Sequence, residues 1–251
     1  MAAAYLLVAH GSRDPRPQQA LAALCERLTQ ELGCPVGWAM LEFGRLPLGG
    51  RIVEFIAEHA IERLSIAPFF LSSGVHVCDD IPEQLAVARS KLASGPASPT
   101  IEVLFHAGRT IDFARAVADR LARRTQPEAV VAIAHGSRRP GGNAEVERFG
   151  ERIRAAIGVP FRLAYWSREG DIASALDACV ADGHKRLTIV PHFLFPGRLT
   201  DAIAEQIAAS ALDATLLPTW SEDTEWATRA VLDWLRDRAP AVPEPSIAGQ
   251  P

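Results

Sequence analysis

Two histidines and a glutamate, His10, Glu42 and His76, have the strongest claim to chemistry in this 251-residue chain. Each follows an apolar run that reads as a buried strand: YLLVA before His10, AML before Glu42, and the run closing at Leu71 before the Ser72-Ser73-Gly74 turn that leads to His76. The spacings of 32 and 34 residues each fit one strand–helix–strand step. Adjacent parallel strands therefore bring all three to one carboxyl edge, the place where open α/β sheets bind ligands. Two imidazoles and a carboxylate with open positions suit Fe(II) or Co(II) better than a closed thiolate cage does. Histidine also titrates near neutral pH, so either ring could take up a proton.

The tetrapeptide His-Gly-Ser-Arg occurs twice, at 10–13 and 135–138, each time after an apolar run and 125 residues apart. A second pair, APFFLSSGVH at 67–76 and VPHFLFPGRL at 190–199, aligns Pro68 with Pro191 and Gly74 with Gly197 at an offset of 123. One duplication explains both. The copies differ in donors. His135 matches His10, but Ser167 stands where Glu42 would and Leu199 where His76 would. Leucine cannot ligate a metal, so the first half is expected to handle the ion. The second half is expected to supply a facing wall with His135, Ser137 and Arg138. Ser12, Arg13, Arg45, Arg138 and Arg198 lie in or near the strand-end loops. Arginine forks bind carboxylates bidentately, so this group suits a ligand with several carboxylates. His192 falls inside a strand and reads as structural or rim. His59, His106 and His184 have no evident partners and read as structural.

The elements that must position these residues follow from periodicity. Strands are expected at Tyr5–Ala9, Val36–Leu41, Leu64–Leu71 and Ile101–Phe105, and again at Ala129–Ala134, Phe161–Tyr165, Leu187–Phe193 and Thr215–Leu217. Continuous apolar runs rather than alternation mark strands covered on both faces, hence parallel sheets. Leu21, Leu24, Cys25, Leu28 and Leu32 form one helical stripe, and Ile111, Ala114, Val117, Ala118 and Leu121 another. Asp79 or Asp80 is placed to cap the helix that follows His76. The expectation is an α/β protein of two similar half-domains, each a parallel sheet with helices on both faces, with a ligand cleft between them. The halves span 1–124 and 125–238, and 239–251 is a Pro-rich tail without periodicity.

Composition narrows the classes. The chain is 48% apolar and 22% charged, with net charge −4 and pI near 6.0. That balance gives no support for nucleic-acid binding, and any attraction for a polyanion must be local. Cys25, Cys34, Cys78 and Cys179 form no C-x-x-C pair, so neither a zinc nor an iron–sulfur site is expected. No run is long enough for a membrane helix and no leader pattern is visible, which points to the cytoplasm. Neither G-x-x-x-x-G-K-S/T nor G-x-G-x-x-G, the glycine patterns that cradle phosphates, is present, so no ATP or organic cofactor is expected.

LLVAHGSRDP, the strand-end Glu42, and PFFLSSGVHVCDDIP followed by a second, degenerate HGSR half resemble the class II chelatases. The resemblance is to the long, two-domain sirohydrochlorin chelatases of siroheme and cobalamin synthesis, and it runs to about residue 236. It implies a tetrapyrrole held between the halves and ATP-independent insertion of a divalent metal, Co2+ or Fe2+, which is a substrate rather than a cofactor. It also implies that His10, Glu42 and His76 bind that metal; Ser12, Arg13, Arg45, His135, Ser137 and Arg138, read above at the strand ends, are then the residues expected to bind the macrocycle. Because each half mimics one subunit of a dimer, a monomer is expected. Ser72-Ser73 departs from the family, where bulkier apolar residues are usual, and the tail lacks the histidines of some relatives. Two other readings stay open: a non-catalytic metal or tetrapyrrole carrier, and a two-lobed binding protein whose HGSR loops hold an anion.

Overall fold

The apolar runs of each half become the central strands of a parallel sheet. In the computed structural model, which describes residues 3–93, 99–124, 127–137, 141–210 and 212–237, the first half contains β1 (Ala3–Ala9), α1 (Pro15–Leu32), β2 (Val36–Met40), α2 (Leu48–His59), β3 (Arg63–Pro68), α3 (Ile81–Leu92), β4 (Thr100–Val103), α4 (Ala107–Thr110) and α5 (Phe113–Arg124). The second contains β5 (Ala129–Ala134), α6 (Ala144–Ala156), β6 (Phe161–Tyr165), α7 (Asp171–Ala181), β7 (Arg186–Pro191), α8 (Arg198–Ala209), β8 (Asp213–Leu216) and α9 (Thr224–Asp237). Strand order is β2-β1-β3-β4 in one sheet and β6-β5-β7-β8 in the other, all parallel. This is the expected α/β architecture of two similar halves. Arg138 and the expected tail at 239–251 lie outside the described residues.

Several boundaries differ from the periodicity: the strands expected to reach Phe105 and Phe193 end at Val103 and Pro191, and two further differences have a visible cause. The third strand was expected to reach Leu71 but ends at Pro68, where Phe70 N–H turns back onto Pro68 O at 3.1 Å. Ile111 carries the helical spacing yet sits extended between α4 and α5. Asp112 sets that break, because its side chain accepts from Arg115 N–H at 3.0 Å and caps α5.

Each sheet has a private core on one face, around Ile52, Leu64 and Ile66 in the first half and around Ile133, Ile189 and Ile203 in the second. A third core runs through both halves and includes Leu7, Leu28, Val130, Trp220 and Leu235. It exists because each half lends its last helix to the other: α5 packs on α6, and α9 packs on α1. Tyr5 OH donates to Leu235 O at 3.3 Å across that contact. Buried Arg120 of α5 lies over the Trp220 and Trp226 rings at 4.5 and 5.3 Å, with its Nε 3.2 Å from Asp223. Large side chains in such a place each weigh about 3–5 kcal/mol against truncation to alanine. Among the described residues no helix is long and apolar enough to cross a membrane.

Candidate metal centre

The end of β1 and the end of β2 are zipped together one residue beyond the sheet. Leu41 N–H donates to Ala9 O at 2.9 Å and Glu42 N–H to His10 O at 2.8 Å. His10 and Glu42 are thereby fixed side by side on one edge. Gly11 makes this possible: its φ is +103°, and a Cβ there would stand 1.9 Å from Glu42 O. His76 comes from β3 by a longer route. The chain leaves the sheet at Pro68, runs through an irregular loop and enters a π-helical turn at His76–Asp80. Widened turns of this kind occur often at functional sites.

The three side chains converge. Donor atoms of His10, Glu42 and His76 all lie within 4.8 Å of one another, and the two imidazoles meet edge to face with centroids 4.4 Å apart. With metal–nitrogen bonds of about 2.1 Å, ligands of one ion lie at most about 4.2 Å apart, so a small rotamer adjustment closes the set on a single ion. The tautomers suit this. His10 Nδ1 lies 3.0 Å from Gly11 O, and His76 Nδ1 lies 2.6 Å from Asp80 Oδ2. Both partners only accept, so each Nδ1 carries the proton and each Nε2 keeps its lone pair. His10 and Glu42 are exposed and His76 is half-buried, leaving room for waters or an incoming ligand.

His10 also lines a cavity of about 430 Å³ between the halves. Phe69, Phe70 and Phe195 give it apolar walls, and His135 and Ser137 face His10 from the second half. Ser12 lines it too and accepts from Asp14 N–H at 3.0 Å. Asn143, buried, braces Ser137 by accepting from its N–H at 2.7 Å and donating to its carbonyl at 3.0 Å. His192 forms part of the floor, stacked on Phe149 at 3.8 Å. Burial pushes its pKa down to about 3, so it stays neutral.

The arginines do not gather. Arg13 lies over the ring of Phe43 at 5.4 Å, Arg45 pairs with Glu54, and Arg198 is exposed at the start of α8. Neither Arg13 nor Arg45 lines the cavity. Phe43 beside Glu42 is more than half exposed and left-handed at φ +56°, a strained conformation for an aromatic residue.

In the second half, the position of Glu42 opens into a larger, shallower hollow of about 610 Å³ beside His135, Trp166, Ser167 and Arg168. Serine and leucine offer no donor set there, so size does not make it the reactive place. Among residues that sequence reasoning missed, Asp80 matters most. It turns toward His76 instead of capping α3, and the His-x-x-x-Asp spacing on a helical segment was the available signal.

The family model described as CbiX matches residues 4–128 and, a second time, 129–233. The sirohydrochlorin cobaltochelatase of Methanothermobacter thermautotrophicus is 33% identical over 82 residues, which is 33% of this chain and 57% of that protein. The chain thus spans less than two thirds of that relative. The sirohydrochlorin ferrochelatase of Priestia megaterium is 23% identical over 225 residues, 84% of this chain and 80% of the relative. Among solved structures, SirB from Bacillus subtilis with Fe3+ superposes with a TM-score of 0.78 at 23% identity, covering 94% of this chain and 95% of its own. At that identity the likeness is one of fold.

Proposed function

Because the chain belongs to the CbiX family, we propose that it is a sirohydrochlorin chelatase, inserting Co2+ or Fe2+ into the macrocycle without ATP. The observation that carries this is the cluster of His10, Glu42 and His76 on the lip of an apolar cleft that both halves line. Relatives named for cobalt and for iron both match the chain, and imidazole with carboxylate accepts either ion.

The macrocycle lies in the cleft against Phe69, Phe70 and Phe195, with His135, Ser12 and Ser137 toward its polar edge. The Nε2 atoms of His10 and His76 and the Glu42 carboxylate hold the ion with only three protein ligands. It can therefore be passed on, which a closed cage would prevent. Metal insertion frees two pyrrole protons. As the ion moves to the ring nitrogens, the released imidazole Nε2 atoms and the Glu42 carboxylate accept those protons and return them to water. Holding ion and ring in register supplies much of the rest. Arg13, Arg45 and Arg138 belong to the proposed macrocycle contacts through the ring's carboxylates, with Arg45 first releasing Glu54.

The proposal extends to the setting. The halves divide at 124/125, and the protein is a cytoplasmic monomer. Cys25 and Cys179 are buried thiols, which suits a reducing compartment, and the helix faces that a dimer would pair are already paired inside one chain. The deciding experiment mixes purified protein, sirohydrochlorin and Co2+ or Fe2+ and follows the macrocycle spectrum. Acceleration over the uncatalysed rate is expected. Stoichiometric binding without turnover would instead identify a carrier.

A further inference from the structure

Several polar contacts bridge the halves, Arg120 with Asp223 and Arg152 with Asp112 among them, and two others each join the first helix of one half to the segment after the third strand of the other. In one, Arg16 at the start of α1 makes a bidentate pair with Asp201 at the start of α8, at 2.9 and 2.6 Å. In the other, Glu145 at the start of α6 accepts from Ser73 N–H at 2.6 Å and from Ser73 Oγ–H at 3.2 Å, while buried His106 places its Nε2 3.5 Å from the same carboxylate. The geometry is parallel but the cargo is not. Asp201 belongs to a regular helix. Ser73 belongs to the irregular loop that ends, three residues later, at His76.

That loop is held at two levels. At its base, Gly108 N–H donates to Phe70 O at 2.8 Å, and Gly108 passes so near Leu71 that a Cβ would stand 2.0 Å from Leu71 O. At its tip stands Glu145, reaching over from the second half. Beyond the tip, Val77 N–H donates to Gly74 O at 2.9 Å, so the π-helical turn is tied to the segment that Glu145 grips. Burial would lift the Glu145 carboxyl, but His106 and the Ser73 N–H hold it down at about 2, so it grips as a carboxylate throughout the neutral range.

We propose that Glu145 is a positioning residue for the metal centre: from the second half, and without touching the ion, it sets the place of His76 through Ser73. The inference rests on the reading of His10, Glu42 and His76 as metal ligands. It assigns the second half an active part in metal binding, although that half has lost its own donors.

The test is Co2+ titration of the metal-free chain, followed by the visible absorption of the bound ion, with no macrocycle present. Glu145→Ala should weaken Co2+ binding about 10-fold, the size of loss usual when a support behind a metal ligand is removed. Glu145→Gln keeps an oxygen acceptor for Ser73 N–H and should lose only about 3-fold, the worth of one weakened hydrogen bond. It also serves if the alanine variant fails to fold. Asp201→Ala opens the sister clamp and should leave Co2+ affinity unchanged. In turnover, the Glu145 variants should raise the KM for metal more than they lower kcat. Equal affinity of Glu145→Ala and the parent chain overturns the inference, and so does an equal loss in Asp201→Ala, since general loosening of the halves would then explain both. If the parent chain binds no Co2+, the metal-site reading falls and this inference falls with it.

Discussion

At the end of β1, Glu42 N–H donates to His10 O at 2.8 Å; at the end of β5, Ser167 N–H donates to His135 O at 2.8 Å. Phe69 N–H reaches Val8 O at 2.7 Å, and His192 N–H reaches Ile133 O at 2.7 Å. Leu104 N–H to Ile66 O and Leu217 N–H to Ile189 O are both 2.9 Å. The halves thus share a backbone frame to the level of single bonds. They part where side chains leave that frame. The first half carries a carboxylate at the second strand end and a π-helical turn from His76 to Asp80. The second carries Ser167 and a regular α8, with Leu199 for His76 and fully buried Ile203 at the position of Asp80. On the proposed reading the frame alone confers no affinity for metal. Three donors and one orienting acid, hung on an otherwise equal frame, make the difference.

The sharpest way to break this comparison is to remove matching histidines. His76→Ala and His10→Ala should each lower chelation at least about 100-fold, in the range expected when a ligand and proton acceptor is lost. His135→Ala should cost only a few-fold. Equal losses in the macrocycle assay would erase the asymmetry. The glycines come next. A Cβ on Gly11 collides with backbone, Glu42 O at 1.9 Å, whereas one on Gly136 meets the Ser167 hydroxyl at 2.6 Å and the Tyr165 side chain at 2.9 Å. Both have positive φ, so both alanines should destabilise by about 1–3 kcal/mol in urea melts, but only Gly11→Ala should also abolish Co2+ binding. A gain of function sharpens the contrast further. Ser167→Glu with Leu199→His should raise Co2+ stoichiometry from one toward two, the new site binding about 10-fold more weakly or worse because Ile203 cannot orient the new imidazole. A stoichiometry fixed at one would show that the second frame differs in more than its side chains.

The smallest effect is on pH. His192 occupies the position of Phe69, and burial holds its pKa at about 3 against an ordinary 6.5. Between those values the unfolded chain binds a proton that the folded chain does not, so stability falls as pH drops from 6.5 toward 3. His192→Phe should flatten that slope by up to roughly 1.4 kcal/mol per pH unit. Thermal melts between pH 6.5 and 4.5 check this, above the range where Glu145, unfolded near 4.5 and folded at about 2, adds its own loss.

Much of this was legible in the chain. The two parallel sheets follow from apolar runs closed by glycine, and the cluster of His10, Glu42 and His76 from strand ends one crossover apart. What stayed hidden was side-chain choice among partners. Arg45 lies near the strand end in sequence, but Glu54 on the next helix is within its reach. Asp80 has the right spacing both to cap a helix and to orient an imidazole, and only the widened turn decides between them. Glu145 and Ser73 are 72 residues apart, and periodicity carries no information about a hydrogen bond between two halves. Ile111 shows the converse failure, an apolar stripe continued across a helix break that Asp112 enforces.

The exchange of terminal helices also sets an order of events during synthesis. Tyr5 and Leu235, bonded across the α1–α9 contact, are 230 residues apart. When the ribosome has released the first half, part of the apolar face of α1 still waits for the cover that α9 supplies. The nascent first half therefore leaves the exit tunnel unfinished, and contacts so distant in sequence form slowly. Completion of its core coincides with the arrival of α9, so a chain stalled or cut before residue 224 exposes an uncovered helix that quality-control proteases and chaperones can recognise.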